Sequence, residues 1–275
     1  MTVTQTLPCR PVYIAAWAWL ALHAAALWPH GLWAARRLAD GSDDPLGFAA
    51  LAALLLWLVR AAPTLRVGPQ LGWLATAGAL TVAATAAVLW APPLPATMLA
   101  ALALAAHLFA WLPAGVARAP LAGLALLALP LVASLQFYVG YPLRVVTAEF
   151  SAWLLRAAGQ AAERSGAAMT VNGHLVIVDA PCSGVQMAWL AYFAACAVAA
   201  FVGLRDGVFL RRLPLVGLGV LGANVLRNSL LVGLEARPQG LSDFWHEAIG
   251  LVVLMGAIVL TVRVMSPLRG VGGAR

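Results

Sequence analysis

The chain has 275 residues, of which 63% are hydrophobic and only 10% charged. A soluble domain of this length needs more polar surface, and long apolar runs almost free of charge read as membrane-spanning helices of about 20 residues each. All 17 basic residues are Arg and the net charge is +7. They are scattered between apolar runs, which fits the positive-inside bias of a membrane protein and argues against nucleic-acid binding.

The first apolar run covers about 12–28. Met1 to Pro8 has no charged n-region and no clear cleavage site follows the run, so it reads as a span and not as a removable signal. Further runs lie at about 46–62, 71–91, 94–113, 119–139, 185–204, 213–234 and 246–265. In lipid the backbone must satisfy its own hydrogen bonds, so all are expected to be helices. The expected fold class is an all-α integral membrane protein of about eight transmembrane helices. It forms one domain over 1–275, with a disordered Gly/Arg tail at 266–275. With both termini cytoplasmic, the inner segments carry ten Arg and the outer ones six, with Arg227 inside a span. That excess sets the orientation.

The stretch 140–183 interrupts the pattern. It opens on Tyr141-Pro142. Leu143, Val146, Phe150, Trp153, Leu154 and Ala157 then share a face at helical spacing, so an amphipathic helix over 143–164 is expected at the outer surface. Two β-prone runs, Ala167–Val171 and His174–Val178, flank Asn172-Gly173, a hairpin signal. The hairpin falls between the fifth and sixth spans and feeds Asp179-Ala180-Pro181-Cys182-Ser183-Gly184, where a helix begins.

The three cysteines, Cys9, Cys182 and Cys196, are too few and too scattered for a disulfide framework or a thiolate zinc site. Cys196 in mid-span reads as a small hydrophobe and Cys9 as inert. Cys182 stands in a polar turn at a helix N-terminus, a place that favours the thiolate. Arg227 within the seventh span is costly in hydrocarbon and marks function unless it snorkels to the surface. Asn224, three residues earlier on the same face, is placed to hold it. Gly217, Gly219 and Gly222 allow close helix approach. His246 lies where the eighth span re-enters from outside. His23, His30 and His107 read as interfacial residues, and His174 as a hairpin residue that could act as a base. Topology alone brings Cys182, Arg227 and His246 to one membrane face.

Ala180-Pro181-Cys182-Ser183-Gly184, Ala223-Asn224-Val225-Leu226-Arg227-Asn228 and His246-Glu247-Ala248-Ile249-Gly250 together resemble the ordered signatures of the exosortase/archaeosortase family. Tyr141-Pro142-Leu143-Arg144 resembles its aromatic-Pro-Leu entry to the outer loop. The resemblance covers about 137–265. Gln186-Met187 departs from it, where a basic or aromatic residue is common. The resemblance implies a membrane cysteine protease or transpeptidase, with Cys182, Arg227 and His246 catalytic and Asn224, Ser183 and Gly184 supporting. It implies no cofactor and no metal. The implied partners are substrate proteins with a C-terminal motif, a transmembrane helix and a basic tail, cut at the outer face of a bacterial inner membrane, and the lipid bilayer itself.

Other readings fit fewer residues. A transporter or channel with a functional intramembrane Arg predicts a polar path across the bilayer, whereas the ionisable residues gather on the outer side. A thiol oxidoreductase needs paired cysteines near one face. A zinc protease needs a second His after His246-Glu247.

Overall fold

The computed structural model describes residues 10–178, 183–235 and 242–266. Cys9, Cys182 and residues 267–275 of the expected tail lie outside them. The chain is mostly helical, with five helices long and apolar enough to cross a membrane. A sixth crossing follows if α6 and α7 form one broken span. The helices are α1 (Arg10–Ala26), α2 (Trp28–Ala39), α3 (Gly47–Ala61), α4 (Leu71–Ala87), α5 (Pro93–Trp111), α6 (Ala119–Leu127), α7 (Val132–Ala157), α8 (Val185–Val202), α9 (Asp206–Glu235) and α10 (Asp243–Met265). Apolar α1 and α4 are each 17 residues, short of the usual span. The described residues form two compact units, divided between Pro130 and Leu131.

In the first unit α5 is the central helix. Ala100, Ala103 and Ala110 are buried along it, and small side chains of this kind let helix backbones approach closely in lipid. The link between α3 and α4 caps its C-terminus. Arg66 N–H donates to Trp111 O (2.9 Å), Gln70 N–H to Ala110 O (2.8 Å), and Gln70 Nε2 to Leu112 O (2.8 Å). Carbonyls that a helix end would leave orphaned are thereby satisfied. His23 and His107 are not free interfacial residues. Their Nδ1 atoms lie 2.8 Å apart, and His23 Nε2 lies 2.8 Å from Thr81 Oγ1. The Thr81 hydroxyl in turn donates to Ala77 O at 2.7 Å. His30 is buried too, 3.4 Å from Thr97 Oγ1.

In the second unit, two features depart from the sequence expectation. The chain does not break at Tyr141-Pro142; Pro142 lies inside α7. The break falls instead at 128–131, around Pro130, whose ring disfavours helix at Leu129. The fifth apolar run and the expected amphipathic helix therefore share α7, which stops at Ala157. Left-handed Gly159 (φ 82°) follows, and β1 (Ala162–Ser165) takes up residues assigned to the helix.

The large apolar stripe of α7 is not its packing face. Phe150 and Trp153 are exposed, whereas Thr147, Ala148, Ser151, Ala152 and Leu155 are buried. Lipid accepts large apolar side chains as readily as a protein core does. Small and hydroxylated residues go to the helix contacts, where backbones come close and polar groups find partners.

β2 (Ala168–Val171) and β3 (His174–Ile177) pair antiparallel across Asn172 (φ 51°) and Gly173 (φ 85°), the two positive φ values of a type I′ turn. β1 adds to β2, giving the order β1-β2-β3. Ala162, Met169, Val171 and Val178 pack on Ala148, Ala152 and Leu155 of α7 and Val232 of α9. The sheet thus lies over the ends of α7 and α9, and its last strand delivers the chain toward α8.

α9 and α10 run antiparallel in a fixed register. Arg212 Nη1 donates to Val264 O (2.7 Å) and Ser266 O (2.9 Å), closing the C-terminus of α10 with a cation where the helix dipole favours one. A Cβ on Gly219 would lie 3.0 Å from Leu260 Cδ2, so the two helices touch there. No neighbour crowds Gly222 within 4 Å.

Candidate functional site

The first of the three motifs opens α8. Gly184 has φ 82° and directly precedes the helix. A Cβ at Gly184 would lie 2.9 Å from Asn224 Cγ and 3.0 Å from its Nδ2. Only glycine suits both the left-handed backbone and this approach. Ser183 Oγ accepts from Val185 N–H (3.3 Å) and donates to Gln136 Oε1 of α7 (2.8 Å). The start of α8 is thus held from two sides, by α9 through Asn224 and by α7 through Gln136.

Asn224 was expected to steady Arg227. Its amide Nδ2 instead donates to Thr147 Oγ1 of α7 at 3.1 Å, and its side chain packs on Gly184. One turn on, Asn228 Nδ2 donates to Ser151 Oγ at 3.0 Å, and Ser151 Oγ donates to Val225 O at 3.3 Å. All four side chains of this ladder are buried. A buried amide without a partner costs about 1–3 kcal/mol, which ties α9 to α7 in one register.

Arg227 meets the third motif. A Cβ on Gly250 would lie 3.2 Å from Arg227 Nε and 3.4 Å from Nη2, so the guanidinium rests on α10 where Gly250 lacks a side chain. Arg227 Nε is buried without a hydrogen-bond partner among the described residues. Arg227 is in neither of the ion pairs Arg37–Asp43 and Arg164–Glu149. A cation held in this way, uncompensated by a carboxylate among the described residues, is available to a developing negative charge. His246 is exposed and lies one turn before Gly250, on the same face of α10.

Gly184 against Asn224 and Arg227 against Gly250 therefore form a chain of contacts across α8, α9 and α10, with His246 one turn along α10 from Gly250. Cys182, next to Ser183 in sequence, lies outside the described residues. Sequence reasoning passed over Gln136, Thr147, Ser151 and Asn228. The signal was present as hydroxyl and amide residues four apart, Thr147/Ser151 and Asn224/Asn228, in otherwise apolar helices.

An apolar groove of about 490 Å³ opens from this chain. Ser183, Gly184 and Asn224 line one end and Gly217 and Pro214 the other. Ten residues of α9 separate its ends, about 15 Å at 1.5 Å per residue.

The Arg227–Gly250 contact gives a sharp expectation. If Arg227 only snorkels, Lys serves equally well. If its planar, multi-donor head acts on substrate, Lys is a poor substitute. Arg227→Lys is expected to lower substrate cleavage at least about tenfold, ~1.4 kcal/mol of transition-state stabilisation. Gly250→Ala, which pushes the guanidinium off its seat, should fall in the same direction. The measure is cleaved over full-length substrate, normalised to enzyme in the membrane.

Among the described residues no group of three or more His, Cys, Asp or Glu is placed to hold a metal ion. Neither a curated protein nor a solved structure matches the chain. Residues 33–263 do match a family, described as transmembrane exosortase. With most of its length so matched, the chain belongs to the transmembrane exosortase family.

Proposed function

We propose that this protein is a membrane cysteine transpeptidase or protease. Its substrates are exported, membrane-anchored proteins, cut at a C-terminal sorting signal made of a short motif, a transmembrane helix and a basic tail. The site faces the exterior of a bacterial inner membrane. The observation that carries the reading is the pair of close contacts, Gly184 on Asn224 and Gly250 on Arg227, which join three motifs distant in sequence.

His246 takes the proton of the Cys182 thiol, or holds the pair as thiolate and imidazolium. The thiolate attacks the carbonyl of the scissile peptide. Arg227 stabilises the oxyanion, an effect of about 3–4 kcal/mol for one well-placed donor. The imidazolium protonates the leaving amine, and a thioester remains. An amine, a hydroxyl or water then releases the acyl group. The groove beside the site supports a substrate whose apolar segment stays in the bilayer along α9.

The test is to trap the thioester. Purified enzyme mixed with substrate at low pH should carry an acyl adduct on the peptide containing Cys182, released by hydroxylamine. Processing with no adduct on any cysteine would remove covalent catalysis.

The crossings number eight in this reading, with α1 and α4 spanning despite their length and both termini cytoplasmic. Reporter fusions after Gly240 and after Ser266 should then report opposite sides, exterior and cytoplasmic in that order; two cytoplasmic signals would defeat the orientation argument.

A further inference from the structure

The bond between Gln136 and Ser183 reaches beyond the three family motifs. Gln136 is a half-buried polar residue in an apolar stretch of α7. Polar side chains in such a place are costly unless something uses them. Its amide lies over Gly140, one turn further along. A Cβ there would be 2.9 Å from Gln136 Nε2 and 3.0 Å from Cδ. Gly140 therefore leaves room for the amide to lie along the helix and reach the start of α8.

The polarity of the contact is settled by its neighbours. Ser183 Oγ already accepts the Val185 N–H, so its own hydrogen is free to donate, and Gln136 Oε1 receives it. One hydroxyl thereby links the first amide of α8, the turn before it, and α7.

We propose that Gln136 is a positioning residue for the nucleophile. By holding the Ser183 hydroxyl it orients the turn and, through it, the adjoining Cys182. The proposal rests on the reading that Cys182 attacks the substrate. Gln136 itself touches no reacting atom.

The experiment uses the full chain in lipid nanodiscs, with Cys9→Ser and Cys196→Ala leaving Cys182 as the only thiol. Two quantities are measured: kcat and KM for substrate cleavage, and the rate of Cys182 alkylation by iodoacetamide across pH. Gln136→Leu and Ser183→Ala should each lower kcat about tenfold with KM within about twofold. The double variant should lose no more than Ser183→Ala alone, because that change already removes the hydrogen bond that Gln136→Leu removes. Gln136→Glu keeps the shape but adds a carboxylate at the hydrogen bond to Ser183, the residue next to Cys182 in sequence. It should raise the midpoint of the alkylation profile by about one pH unit, since a nearby negative charge disfavours the thiolate.

Losses that multiply in the double variant, together with an unmoved midpoint in Gln136→Glu, would overturn the positioning role and leave Gln136 as packing. Full processing by a Cys182→Ala enzyme would instead sink the underlying reading, whatever Gln136 does.

Discussion

Gly184→Ala is expected to lower substrate processing about 100-fold or more while the protein still inserts into the membrane. Two separate costs meet at this position. The left-handed backbone (φ 82°) costs about 1–2 kcal/mol for any residue with a Cβ. The new methyl would also sit 2.9 Å from Asn224 Cγ, and overpacking of this kind costs about 1–3 kcal/mol. Asn224 cannot retreat freely, because its amide is committed to Thr147. The start of α8 must therefore shift, and a displacement of about 1 Å at a reacting group can cost 100-fold in rate. Gly203 supplies the control. It ends α8 with φ 68°, yet a Cβ there meets nothing within 4 Å. Gly203→Ala carries the backbone cost alone and should keep its activity per molecule. Equal losses at both glycines would mean that backbone strain, and not the contact with Asn224, governs the result.

Cys182→Ala should abolish cleavage while enzyme accumulates normally, and Cys9→Ala and Cys196→Ala should leave it intact. The first change removes the atom that forms the thioester in the proposed mechanism. Position supports the choice of cysteine. The residues that follow Cys182 open the 18-residue α8, and the N-terminus of a helix carries a partial positive charge that favours a thiolate. Cys196 is buried twelve residues into the same helix from Gly184, about 18 Å along its axis, and cannot reach the same carbonyl. Normal processing by Cys182→Ala enzyme, read as substrate cleavage on a gel, would remove the nucleophile assignment.

The candidate site was more legible in the sequence than the fold around it, for a physical reason. In an apolar chain a cation, an amide or an imidazole is expensive, so Arg227, Asn224 and His246 stand out from their surroundings. Their order along the chain was enough to suggest one site, and Gly184 lies against Asn224 and Gly250 against Arg227. Helix faces were a different matter. Hydrophobic periodicity locates a core when the other side is water. On α7 the other side accepts Phe150 and Trp153 as readily as a core would, so the large apolar stripe does not mark the packing face. The true contact face carried Thr147 and Ser151, whose partners Asn224 and Asn228 are about 77 residues later in the chain. Pro142 likewise suggested a break, yet a proline inside a helix removes a single donor that the surrounding turns tolerate in apolar surroundings. β1 was missed because Ala162-Glu163-Arg164-Ser165 has no alternation of its own and is a strand only beside β2.

The imidazole pair of the first unit carries a direction that its distances do not announce. A carbonyl oxygen can only accept, so the Thr81 hydroxyl must give its hydrogen to Ala77 O. The Thr81 oxygen is then left to receive one from His23 Nε2. Neutral His23, having spent its proton on that side, presents a bare Nδ1 and must receive from His107 Nδ1. The two rings are therefore opposite tautomers, and the sole lone pair left on a ring nitrogen is that of His107 Nε2. A single main-chain oxygen on α4 thereby sets the polarity of a relay through α1 to α5.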